Sequence, residues 1–176
     1  MKKLGINNYK YVPSGSLRFG LFKKRFSENL KKEFDLCFIS QFNVDLVNPQ
    51  IKILMDNGDK VFLSLIRLCE KIGFSLSIAM RSESSSKNYL KEINHFNSLD
   101  PNAIAKIIPN NMINCEGYKT AAKSNILISV NSTLAFEMFG EGHKALFTSN
   151  ANDFNCSDLW DSYENFNKLP SMNLIE

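Results

Sequence analysis

Short apolar runs alternate with longer stretches of helical periodicity along most of this chain. The run Asp35 to Phe42, DLCFISQF, has a continuous apolar centre, the mark of a strand buried on both faces as in parallel sheets. A loop holding Asn43, Asp45 and Asn48-Pro49 is expected next, then a helix over 59–72. Apolar residues at 61, 62, 63, 65, 66, 68, 69 and 72 give that helix a broad stripe, and Gly73 suits its C′ position. Phe74 to Met80 reads as a second strand, ended by Arg81 and a serine-rich turn. Ser85 or Ser86 is then the expected N-cap of a helix from Lys87 to about Phe96. Ala103 to Ile108 reads as a third strand, closed by Pro109-Asn110-Asn111, and Gly117 to Ser124 as a short helix.

The pattern sharpens over NILISVNSTLAFEMFGEGHKALF, residues 125–147. Ile126 to Val130 is a buried strand, Asn131-Ser132-Thr133 a polar turn, Ser132 to Phe139 a short helix ended by Gly140 and Gly142, and Ala145 to Phe147 a fifth strand. Repeated β-α alternation predicts an α/β protein, a Rossmann-like, doubly wound parallel sheet of roughly five or six strands flanked by helices. The N-terminal end is less regular. Tyr9 to Val12 is β-like, Pro13-Ser14-Gly15-Ser16 ends it, and 17–34 suits an irregular amphipathic helix or a loop followed by one. The expected organisation is a connector and basic helix over 1–34, the Rossmann-like domain over 35–150, and an Asn- and aromatic-rich tail over 151–176 that packs back on it.

A parallel sheet binds ligands beyond the carboxyl ends of its strands. Those ends here carry Ser40 and Gln41, then Arg81 with Ser82, then Asn110, then Asn131, Ser132 and Thr133. Arg81 suits a phosphate or carboxylate, although a structural ion pair has the same signature. Ser132 or Thr133 serves as an N-cap, and the same helix N-terminus can also receive a phosphate. Glu137 shares a helix face with Thr133 in an otherwise apolar segment. It needs a partner, solvent or a ligand hydroxyl such as that of a ribose or sugar.

Composition narrows the partners. A net charge of +3 over 176 residues is too weak to imply nucleic acid, and 22% charged residues with an ordinary apolar share argue against disorder. The basic residues concentrated before residue 33 read as a solvated helix face, with peripheral contact to anionic lipid as the lesser reading. The cysteines at 37, 69, 115 and 156 lack metal-ligand spacing and read as reduced thiols. Two histidines are too few for a His-based metal site, so no metal is expected. No run is long enough for a membrane span, which places the protein in the cytoplasm, at most touching the inner face of the membrane. The chain lacks GxxxxGK[ST], GxGxxG after the first strand and GxSxG, which disfavours ATPase, dehydrogenase and serine-hydrolase readings. A receiver-like domain fits poorly, because the first strand ends in Ser40-Gln41 and Lys144 precedes the fifth.

The run ILISVNSTLAFEMFGEGHKALF resembles the donor-binding half of GT-B fold glycosyltransferases, especially those of bacterial surface-polysaccharide synthesis. The resemblance implies that Ser132 and Thr133, with Asn131 beside them, meet the donor phosphate, and that Glu137 meets the ribose or sugar. VPSGSLRFGLF resembles the segment joining the two halves in surface-carbohydrate transferases, which assigns Gly15, Ser16 and Arg18 to the donor site. ISQF, with Ser40 and Gln41, is similar to the start of the second domain. The resemblance spans roughly residues 12–150 and implies a nucleotide-activated sugar as donor, with no other cofactor. It also implies an acceptor-binding N-terminal half supplied elsewhere, so that activity depends on that partner. The alternative is a non-catalytic, truncated or partner-dependent nucleotide-binding module.

Overall fold

A computed structural model describes residues 16–26, 30–44 and 47–148. Five strands, β1 (Phe34–Ile39), β2 (Leu76–Glu83), β3 (Ala105–Asn110), β4 (Ser124–Ser129) and β5 (Lys144–Phe147), form one sheet in the order β3-β2-β1-β4-β5. Every pairing is parallel, so the expected Rossmann-like α/β architecture is what the chain adopts. Five helices connect and flank the strands: α1 (Leu17–Phe26), α2 (Pro49–Ile72), α3 (Tyr89–Leu99), α4 (Glu116–Ala122) and α5 (Thr133–Gly140).

The period-2 geometry of the strands sorts the helices into two layers. Leu36 and Phe38 of β1, Leu76 and Ile78 of β2 and Ile128 of β4 pack with Val61, Phe62 and Leu65 of α2 and Phe96 of α3. The intervening Cys37, Ile39, Ala79 and Leu127 pack with Phe22 of α1, Tyr118 and Ala121 of α4 and Ala135 and Met138 of α5. Both faces of the central strands are therefore buried, which explains their unbroken apolar runs.

Several boundaries differ from the sequence expectation. β1 stops at Ile39, just before the Ser40-Gln41 end read from the sequence, where the Ser40 hydroxyl accepts the Phe42 N–H and the chain turns away. α2 begins ten residues before Asp59, at Pro49. Asn48 caps it by accepting the Gln50 N–H at 3.0 Å, and Pro49 sits where a helix lacks a donor requirement. Of the residues read as a loop, Asn48 and Pro49 thus form the cap and the first helical position, and Asn43 stays outside the helix. β2 starts later than expected and runs on to Glu83, so Arg81 lies within the strand, at a register irregularity against β3. β3 and β4 are also displaced, to Ala105–Asn110 and Ser124–Ser129. α3 starts at Tyr89 after Asn88, without a side-chain cap; Ser86 offers its carbonyl to the Tyr89 N–H instead. Gly73 takes its expected left-handed place after α2, with φ of 74°.

Cys37, Cys69 and Cys115 are buried and form no disulfide among the described residues, and burial pushes the Cys37 thiol up to about 11. Cys156, Trp160, the 151–176 tail, the β-like Tyr9 to Val12 and Gly15 lie outside the described residues. No helix among the described residues is long and apolar enough to cross a membrane.

Candidate functional site

Strand order fixes where a ligand can enter. The chain winds outward from β1 to β3, then returns to place β4 on the other side of β1, so the topological switch lies between β1 and β4. At such a switch the connections leave in opposite directions and open a crevice at the carboxyl ends. A cleft of about 600 Å³ occupies that position. Its lining includes Ser40 and Gln41 after β1, Arg81 in β2, Asn110 ending β3, and Asn131, Ser132, Thr133 and Glu137 around the start of α5. Ser16 and Arg18 from the start of α1 complete it. The structure thus brings nine of the ten sequence-predicted residues to one cavity; Gly15 is outside the described residues.

Their local roles differ. Ser40 is buried, and its hydroxyl is engaged twice, donating to Glu92 Oε1 at 2.5 Å and accepting the Phe42 N–H at 3.1 Å. It shapes the floor. Arg81 is exposed, and its guanidinium donates to the Phe42 carbonyl at 3.3 Å. Neither Arg81 nor Arg18 forms an ion pair with a described carboxylate. The described pairs are Lys23–Glu141, His95–Asp59, Lys119–Glu116 and Lys123–Glu33. The structural ion pair left open for Arg81 is therefore not found among the described residues.

Ser132 takes the N-cap position of α5 with extended backbone, φ −125° and ψ 127°, yet its side chain makes no capping bond. The expected hydroxyl cap is absent there, and the first-turn amides keep their partial positive charge. Gly117 allows α4 to lie close to this helix, because a Cβ there would stand 3.1 Å from Leu134 Cδ1. Glu137 is half-buried and accepts from the Tyr118 hydroxyl at 2.5 Å. Burial, and then this hydrogen bond, push the Tyr118 phenol well above its ordinary value, so the proton stays on the ring oxygen.

Two site-forming residues escaped the sequence reading. Tyr118 sat in a short, unremarked helix. Glu92, in the helix before β3, drew no notice in the sequence, yet it is 0% exposed. Its carboxylate accepts Ser40 Oγ, the Arg81 N–H at 2.9 Å and the Ser82 N–H at 2.7 Å. It thereby locks the ends of β1 and β2 together beneath the cleft. A usable signal existed: Glu92 sits one turn before the apolar Phe96, on the same inward face. Among the described residues, no group of three or more His, Cys, Asp or Glu side chains converges as metal ligands would.

The cavity is chemically two-sided. Two arginines and an uncapped helix N-terminus suit an anion, while Glu137 suits a hydrogen-bond donor. A family model described as "putative O-antigen biosynthesis protein" matches residues 6–171. No curated protein and no solved structure matches the chain.

Proposed function

The chain belongs to this O-antigen biosynthesis family, and on that premise we propose that it is the donor-nucleotide-binding half of a glycosyltransferase for bacterial surface polysaccharide. The observation that carries the reading is the cleft at the β1/β4 switch. There the uncapped start of α5 and two arginines without described carboxylate partners line the same cavity as Glu137. Such a set suits the diphosphate and the hydroxyls of a nucleotide-activated sugar. Arg81, Arg18 and the α5 N-terminus would balance the charge that develops on the departing phosphate. Glu137 would hold the donor by a hydroxyl, and Ser132 and Thr133 would flank the phosphate. The acceptor half, with the base that activates the acceptor, would come from another segment or chain.

A second reading, a nucleotide-binding module that works only with a partner, has an observation of its own. Leu17, Val47 and Ile113 are 81%, 92% and 74% exposed, and all three lie on loops or helix starts at the carboxyl-end rim.

A thermal-shift panel of UDP, GDP, CDP and CMP with their sugar conjugates separates the two readings, repeated with Glu137→Ala. A rise with one nucleotide, larger for its sugar conjugate and reduced in the variant, supports the donor reading. A rise with a bare nucleotide that the sugar does not increase favours the module. No rise with any of them sinks the donor reading for the chain alone and favours the partner-dependent module.

A further inference from the structure

Tyr118 stands where three helices meet the cleft. Its ring stacks on Phe22, with centroids 5.4 Å apart, and lies 5.7 Å from Phe19, so it joins α4 to α1. Its hydroxyl reaches the other way and donates to Glu137 Oε2 on α5. A single side chain thus sets α1, which carries Arg18 and directly follows Ser16, against the helix that carries the acidic residue of the cavity. The Glu137 Oε1 atom accepts no hydrogen bond from a described residue. A half-buried carboxylate oxygen in that state favours an O–H or N–H donor from whatever fills the space.

We propose that Tyr118 is a positioning residue: by occupying Oε2 it fixes the Glu137 carboxylate and leaves Oε1 as the acceptor for a hydroxyl of the bound ligand. The arrangement is economical in conformational terms. A glutamate on an otherwise apolar helix has several rotamers, including ones that swing out to water, and each would have to be surrendered on binding. Tyr118 removes that freedom beforehand, because its own ring is held by the phenylalanines of α1. The phenol also keeps its proton, so it remains a donor to Oε2 and does not compete for the ligand hydroxyl.

This inference rests on the nucleotide reading, and its test separates the two. Binding of UDP, GDP, CDP and inorganic pyrophosphate is measured by calorimetry on the full chain, its Tyr118→Phe and Glu137→Gln variants and the double variant. The phenylalanine keeps the ring that packs on α1 and drops only the hydroxyl. The expected result is that the preferred nucleotide loses about tenfold in affinity in Tyr118→Phe while pyrophosphate stays within about twofold. The double variant should bind no more weakly than Glu137→Gln alone, since both changes remove one interaction. Equal loss for nucleotide and pyrophosphate would mean Tyr118 merely supports the fold, and overturns the proposal. So would losses that multiply in the double variant. Pyrophosphate binding without any gain from a nucleoside refutes the hydroxyl role and leaves the anion site standing. If nothing binds, the nucleotide reading falls and melting of the four ligand-free proteins decides on the pair. Additive melting shifts would mean that Tyr118 does not hold Glu137, and coupled shifts would leave only a structural hydrogen bond; either result overturns the ligand role.

Discussion

On the α2/α3 side of the sheet, Phe38, Phe62 and Phe96 interlock with ring centroids 5.1–6.2 Å apart, and a void against Phe38 and Phe96 holds only about 10 Å³. At the carboxyl ends of the strands the sheet opens into a cleft of about 600 Å³, walled mainly by residues of the α1/α4/α5 side and closed opposite by Ile51 and Leu54 of α2. Helix length also differs between the two sides. α2 has 24 residues and can run past a whole strand, whereas α4 and α5 have 7 and 8. At about 1.5 Å of rise per residue the short helices reach roughly 10–12 Å, against about 20 Å for a six-residue strand. Both start at the carboxyl rim, so their first residues, Gly117 and Thr133 among them, form one wall of the cavity. Small residues add to it: Gly117, Ala121 and Ala135 bring the helices close without filling the space above. One face holds the fold together and the other holds room for a ligand.

Deleting a large apolar side chain on each face would test that division most severely. Phe62→Ala should cost about 3–5 kcal/mol, because its rigid aromatic neighbours cannot collapse into the space. Leu134→Ala removes a partly buried cleft-lining side chain, and water can fill the gap, so only about 1–2 kcal/mol of transfer energy should be lost. Urea unfolding of both variants measures the contrast. Equal costs would mean that the cleft is closed in solution.

The same division explains what the sequence revealed. The sheet and the β4-turn-α5-β5 unit were legible because their signals are local: apolar runs of strand length, then a Ser-Thr turn, then helical spacing. Rim residues such as Arg81 and Asn131 followed from topology alone, since every parallel strand must deliver its next residues to one edge. Tyr118 and Glu92 were illegible for the opposite reason. Tyr118 matters through rings on α1 and a carboxylate on α5, neither of which is near it in sequence. Glu92 resembles any exposed helical acid until the ends of β1 and β2 are brought to it. The early turns of α2 hid for a third reason. Ile51, Leu54 and Met55 keep helical spacing, but the next inward position is Gly58, which reads as a breaker.

That glycine gives the next prediction. Gly58 is buried in mid-helix, and a Cβ would stand 3.8 Å from Phe38 Cζ, an ordinary contact. Nothing in its surroundings demands glycine. Gly58→Ala should therefore raise stability by about 0.5–1 kcal/mol through helix propensity and lost unfolded-state freedom. A fall in the denaturation midpoint would show that the closed face has less slack than its geometry implies. Either way, ligand affinity in the cleft should stay put, because Gly58 does not line it.

The smallest expected effect concerns two histidines with opposite pH behaviour. His95 of α3 pairs with Asp59 of α2 through Nε2 at 2.8 Å. That hydrogen bond raises its pKa above 6.5; burial opposes it, and the charges of Asp59 and Glu92 add to the rise. A raised folded-state pKa gives a contribution fully present below the unfolded value and lost as pH climbs through the folded one. His143, between α5 and β5, is lowered, first by burial and then by Lys32, with Glu141 opposing. Its unfolded form takes up a proton first, so its contribution is full above 6.5 and lost on acidification. In the wild-type chain the two partly cancel. Asp59→Asn removes the main cause on the closed face, so melting curves between about pH 5 and about pH 8 should then fall more steeply toward acid. His143→Gln should do the reverse and leave a stability that declines as pH rises. Parallel curves for Asp59→Asn and wild type would mean that the His95–Asp59 bond does not form in solution, and the closed face would lose a polar link between α2 and α3.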